Sequence, residues 1–84
     1  MIQERVDPGK SEIRHYHKVG KQFFFILSGS AVIEIEGTEY NLSAFQGIPV
    51  EPLENHTFKN TSSAVVEFIV VTSPKLENDR INLE

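Results

Sequence analysis

Turn signals interrupt this chain so often that they leave room only for short segments. Asp7-Pro8-Gly9, Gly20, Ser28-Gly29-Ser30, Glu36-Gly37 and Pro52-Leu53-Glu54-Asn55 each mark a break. The stretches between them alternate or run apolar, and none carries a helical period. Gln22 to Leu27 reads as a buried strand, and Ala31 to Ile35 alternates, with Ala31, Ile33 and Ile35 inward and Val32 and Glu34 outward. Glu36-Gly37 suits a two-residue hairpin. Ile48 to Val50 contains Pro49 and so reads as an edge or irregular strand. His56 to Asn60 is the next strand, and Ala64 to Val71, β-branched and aromatic, reads as a central one. About seven to nine short strands with turns between them predict an all-β sandwich or barrel.

At 84 residues the chain is expected to be a single domain spanning residues 1–84, with residues 75–84 a polar tail that is loosely ordered or docks on something. A domain of this size buries little more than ~60% of its unfolded surface, so tight packing, a metal or a second subunit would have to support it. The net charge is −4, with acids and bases spread along the chain, which gives no basic footprint for nucleic acid. The charged N-terminus has no signal-peptide core, and the longest apolar runs are too short for a bilayer. There is no cysteine, a usage compatible with a cytoplasmic protein, so any metal would be held by imidazole and oxygen.

His15 and His17 occupy positions i and i+2, which a strand turns to one face. The remaining histidine, His56, lies on another predicted strand just after a turn, and Gln22 begins the strand that follows the His pair. A tight bend can bring Gln22 back beside them, and a rolled sheet can add His56. Three neutral imidazoles and one amide oxygen then face inward together. Phe24 and Phe58 share faces with Gln22 and His56, so each is expected in the core with a part in a pocket wall. Tyr40 is an inward-capable residue with an ionisable oxygen. Asn60 is expected to bond the backbone at a turn. Glu34, Glu36 and Glu39 read as a solvated strand face. Glu67 reads as an outward charge at an edge or as a partner for Arg14. No general acid or base stands out beside the histidines, and no Arg or Lys cluster is shaped for phosphate.

The residues from Gly9 to Gly29 carry a resemblance. Gly9, then KSEIR, His15-Tyr16-His17, KVGK, Gln22, FFFILS and Gly29 reproduce the first motif of the small single-domain cupins, of the RmlC-like jelly-roll, conserved-barrel type. The spacing agrees throughout, and the one change is Gln22 where the motif has Glu. The second motif is eroded. His56 and Asn60 match it, while Phe45, Glu51 and Leu53 stand where it has Gly, Pro and Gly. Glycine at such turns supplies φ > 0, which Phe45 or Leu53 adopts only at a cost, so the loop before His56 is expected to have its own shape.

The resemblance implies a small jelly-roll β-barrel that binds one divalent transition metal (Fe, Mn, Ni or Zn) through His15, His17, Gln22 and His56. It implies a small-molecule ligand near Phe24, Tyr40 and Phe58, and a homodimer. Gln22 cancels no charge of the ion, so such a site would be a stronger Lewis acid. Family members with Gln at this position include enzymes of redox-neutral chemistry: isomerisation, enol–keto conversion or cyclisation of a sugar acid or polyketide-like compound. The alternatives are an Fe(II)-dependent dioxygenase and a non-enzymatic sensor or binding module.

Overall fold

The computed structural model describes residues 2–74 and 79–83. Residues 75–78 and 84 of the predicted tail lie outside the described residues. Nine strands are present among the described residues: β1 (Ile2–Val6), β2 (His15–His17), β3 (Lys21–Ser28), β4 (Ser30–Ile35), β5 (Thr38–Ser43), β6 (Gly47–Val50), β7 (His56–Lys59), β8 (Val66–Ser73) and β9 (Arg80–Asn82). There is no helix among the described residues, and none that could cross a membrane. The strands form a four-stranded sheet in the order β1-β8-β3-β6 and a five-stranded sheet in the order β5-β4-β7-β2-β9. Strands distant in sequence are neighbours in both sheets, and every pair is antiparallel. This is the all-β architecture expected from the strand pattern, and the jelly roll that the resemblance implied.

The period-2 alternation decides what lies between the sheets. Phe24 and Ile26 of β3 and Val66, Phe68 and Val70 of β8 point inward from one sheet. Ala31, Ile33 and Ile35 of β4 and Phe58 of β7 meet them from the other. Phe58 and Phe68 stack across the gap with ring centroids 4.1 Å apart, and Phe24 lies 5.9 Å and 6.0 Å from them. β6 is the edge strand that its proline requires, and β8 is central, flanked by β1 and β3.

Turn chemistry fixes the registers. Glu36 and Gly37 have φ of 50° and 82° between the paired residues Ile35 and Thr38, as a right-twisted hairpin demands. Asn60 bonds backbone as expected. Its Nδ2 donates to the carbonyls of Val6 and Ala64 at 2.9 and 2.8 Å, and its Oδ1 accepts from the Ser62 amide. Arg14 pairs with Glu34 at 2.6 Å rather than with Glu67, which lies opposite Arg5 on a central strand and guards no edge.

The loop before His56 corrects an expectation. Phe45 and Leu53 adopt φ of 67° and 71°, so the backbone keeps the left-handed turns that glycine would make, with bulky residues in them. The Leu53 amide donates to the carbonyl of His17 at 2.7 Å, and that of Phe45 to the carbonyl of Ile26 at 2.8 Å. These bonds need the backbone shape, whatever the side chain. Leu53 is 64% exposed and loses little burial if removed. Left-handed backbone costs a non-glycine residue about 1–2 kcal/mol, and glycine returns about 0.5–1 of that through its freer unfolded chain. Leu53→Gly is therefore expected to stabilise the protein by up to ~1 kcal/mol, a rise in Tm of roughly 4–8 °C by differential scanning calorimetry. An unchanged or lower Tm would show that the turn stores no such strain.

Candidate metal centre

The bend Lys18-Val19-Gly20 carries the chain from β2 in one sheet to β3 in the other, so Gln22 returns opposite the His pair. His15 is directly across from His56 in the β2–β7 register. The structure thus brings His15, His17 and His56 together, with ring centroids 4.3 to 6.0 Å apart and the possible ligand atoms within 4.8 Å of one another. Gln22 joins them from the facing sheet, its Oε1 3.0 Å from His56 Nε2.

The partners of the ring nitrogens constrain where their protons sit. His15 Nδ1 is 2.7 Å from the carbonyl of Ile13, and His56 Nδ1 is 3.0 Å from that of Glu54. A carbonyl only accepts, so His15 Nδ1 carries the proton and its neutral ring presents a lone pair at Nε2. Gln22 Nε2 donates to Thr72 Oγ1 at 3.1 Å, which turns its Oε1 to His56. His56 thus meets an accepting oxygen 3.0 Å from each ring nitrogen, Glu54 at Nδ1 and Gln22 at Nε2, and its neutral ring can donate to only one of them. A second proton on His56 would serve both, but burial holds its pKa down, with the Glu54 carbonyl opposing and the charges of His17 and Arg80 assisting. His17 Nε2 is also buried without a hydrogen-bond partner. Burial, chiefly, lowers His17 and brings His15 down to about 4. Three neutral imidazoles and an amide oxygen with converging lone pairs fit a divalent transition ion, and the cluster can hold one.

Asp79 is a residue the sequence reading missed. Its carboxylate accepts from the amides of Val19 and Gly20, both at 2.9 Å, and lies 3.5 Å from His17 Nδ1. Burial works to raise its pKa, but the Gly20 and Val19 amides and the neighbouring His17 bring it below the ordinary value. A Cβ at Gly20 would stand 2.9 Å from Asp79 Oδ2, so the bend needs glycine here to admit the carboxylate. Asp79 orients the His17 ring, in the position that outer carboxylates take in metal sites. It arrives because β9 pairs with β2, setting Arg80 opposite His17. The segment from Asp79 to Asn82 is thus built into the site, a docking that its polar composition did not locate.

A hollow of about 150 Å³ opens over the cluster, walled by Glu12, His15, His17, Gln22, Phe24 and Arg80, with Val70 and Thr72 behind. Phe24 serves both core and hollow. Phe58 is fully buried beneath the histidines and does not line the hollow. Tyr40 is 43% exposed on β5, with β4 and β7 between that strand and β2, and takes no part in the wall. Glu12 and Arg80 supply the ionisable group and the cation that had not stood out in sequence. Glu12 lies in an irregular segment, and its place three residues before His15 was the one available hint.

Residues 2–72 match the sequence model of a family described as the cupin domain. A polyketide synthase CurC from Streptomyces cyaneus is 25% identical over 67 residues, covering 80% of this chain and 44% of that protein. The HTH-type transcriptional regulator PuuR of Escherichia coli is 30% identical over 74 residues, covering 88% of this chain and 40% of the regulator. This chain therefore spans less than half the length of either relative. Among solved structures, a sugar phosphate isomerase of the cupin superfamily from Silicibacter pomeroyi superimposes with a TM-score of 0.78 at 25% identity, covering 87% of this chain and 48% of the other.

Proposed function

The chain belongs to the cupin domain family, and from there we propose that it is a mononuclear metal-binding barrel acting as a Lewis-acid enzyme on a small, oxygenated, anionic metabolite. The chemistry is of isomerase, enol–keto or cyclase type, with a sugar acid as a representative substrate. His15, His17, Gln22 and His56 hold the ion. The observation that carries this reading is the convergence of three imidazoles, their possible ligand atoms within 4.8 Å of one another, on Gln22 Oε1 and beside the unpartnered Nε2 of His17. A bound divalent ion supplies positive charge that polarises an enolate or carboxylate oxygen. Gln22 leaves that charge whole, and Arg80 adds a second attraction for an anion at the mouth. Phe24 and Val70 keep the inner wall dry, which strengthens both. The hollow of about 150 Å³ admits the reacting end of a small molecule, some five waters' worth of space. Pairing with a second copy and a cytoplasmic location belong to the same reading.

The sugar phosphate isomerase likeness favours redox-neutral work. The same histidine set would also serve an Fe(II)-dependent dioxygenase. The regulator PuuR supports a different class, a sensor module that binds a small molecule without turning it over. Graded loading with Zn, Ni, Mn or Fe(II), followed by NMR assay of a panel of small keto and enol acids, separates them. Turnover in proportion to loading is expected. Ligand binding without turnover would favour the sensor, and oxygen consumption confined to the iron form would favour the dioxygenase.

A further inference from the structure

Glu12 is a second unsatisfied group in the hollow, and the metal-binding reading does not use it. Its Oε1 is buried and has no hydrogen-bond partner. The backbone of Glu12 is held against β7. Its amide donates to the carbonyl of Phe58 at 2.9 Å, and its carbonyl accepts from Thr57 Oγ1 at 2.7 Å. Both partners belong to β7, the strand that carries His56. Glu12 is thus registered against the histidine cluster by main-chain bonds, and its carboxyl shares the hollow with His15, His17 and Arg80.

We propose, resting on the metal-binding reading above, that Glu12 is the proton-transfer group of this site, acting on a small enolisable carboxylate whose acidic end is held by Arg80. The groups around it suit the role. Glu4 also lines the hollow, and Arg80 faces it from β9. Burial raises the Glu12 pKa, Arg80 opposes that and Glu4 reinforces it, and the balance lies above the ordinary glutamate value. A carboxyl poised nearer neutrality exchanges protons in both directions more readily. In an enol–keto conversion Glu12 gives its proton to carbon. The C=C π pair becomes the new C–H bond, and the enol O–H pair becomes the second bond of the carbonyl. The hydroxyl proton released returns to the carboxylate, directly or through water. One proton moves from oxygen to carbon, and no oxidant or reductant is needed. Arg80 fixes the anionic end, so the carbon that accepts the proton stays within reach of Glu12.

Two measurements on the full chain test this. The probe is pyruvate, the smallest stable enolisable keto acid, and the first reading is exchange of its methyl protons in D₂O, followed by NMR with metal-loaded protein. Wild-type protein is expected to speed exchange, Glu12→Gln to lose about 10²-fold or more of that acceleration with its metal content unchanged, and Glu12→Asp to recover part of it. The second reading needs no metal: the side-chain carboxyl carbons are labelled with ¹³C, and the Glu12 signal is assigned by its absence from Glu12→Gln. It should titrate above the ordinary glutamate value. Equal exchange by wild type and Glu12→Gln, no exchange by metal-loaded wild type, or an ordinary Glu12 titration would each overturn the proposal. A wild-type protein that takes up no metal would instead defeat the metal-binding reading, and the ¹³C titration would still decide for or against Glu12.

Discussion

Phe58→Ala is expected to remove a large share of the protein's stability. Phe58 has no exposed surface and stacks on Phe68 at 4.1 Å, joining the two sheets at the centre of the core. Truncating a buried phenylalanine costs about 3–5 kcal/mol, because the apolar contact is lost and the cavity collapses only in part. At roughly 0.05–0.15 kcal/mol per residue, a chain of this length has only about 4–13 kcal/mol in total. The loss should lower Tm by roughly 10–40 °C in a circular dichroism melt. Phe23→Ala is the control: Phe23 is 43% exposed on the outer face of the same sheet as Phe68 and should cost far less. Similar losses in the two variants would contradict the packing described. Phe58 also lies two residues from His56 on β7, so its loss should weaken metal binding by loosening the strand.

Acid is expected to destabilise the metal-free protein through its histidines. An unfolded histidine takes up a proton near pH 6.5, whereas burial brings His15 down to about 4 in the fold. His17 and His56 are lowered as well, by burial first. Between about pH 6.5 and 4 the unfolded chain therefore binds more protons than the folded one. Stability rises with pH in that window and falls as the solution is acidified through it. Asp79, lowered from 3.8, adds a further loss only below that value. Glu12, raised from 4.5, works the other way, since its folded form holds a proton that the unfolded form has released. Three histidines against one glutamate set the sign. Thermal melts of metal-free protein should show Tm falling steadily from pH 6.5 towards 4, with a shallower fall in His15→Asn. The same protons compete for the lone pairs that would hold an ion, so metal should be released over the same range. A Tm independent of pH across this window would mean that the histidines are solvated rather than buried.

Much of the fold was legible because the side-chain period of a strand is local. Ala31, Ile33 and Ile35 could be placed inward from alternation alone, and Pro49 marked an edge strand without any knowledge of its neighbours. The histidine cluster was legible for a related reason: His15 and His17 share a face by spacing, and the Gly9-to-Gly29 pattern set Gln22 opposite them. What depended on long-range pairing was not legible. Asp79 and Arg80 reach the site only because β9 adds to the edge of β2, a contact across some 60 residues that polar composition cannot announce. Glu12 itself lies outside any strand and is held by bonds to Thr57 and Phe58 of β7. Tyr40 follows the inward face of its strand, but that strand is the outermost of its sheet, and so the ring stands away from the hollow. At Phe45 and Leu53 residue identity argued against the left-handed turns, and the hydrogen bonds to Ile26 and His17 prevailed over local preference.

The most direct test of the account is metal content, measured by elemental mass spectrometry on protein purified without a nickel column, beside His15→Ala and His56→Ala. About one transition-metal ion per chain in the parent, lost in both variants while their circular dichroism remains that of a folded β-protein, is the expected result. No metal in the parent even after reconstitution with Fe, Mn, Ni and Zn in turn, or the same content in all three proteins, would contradict it.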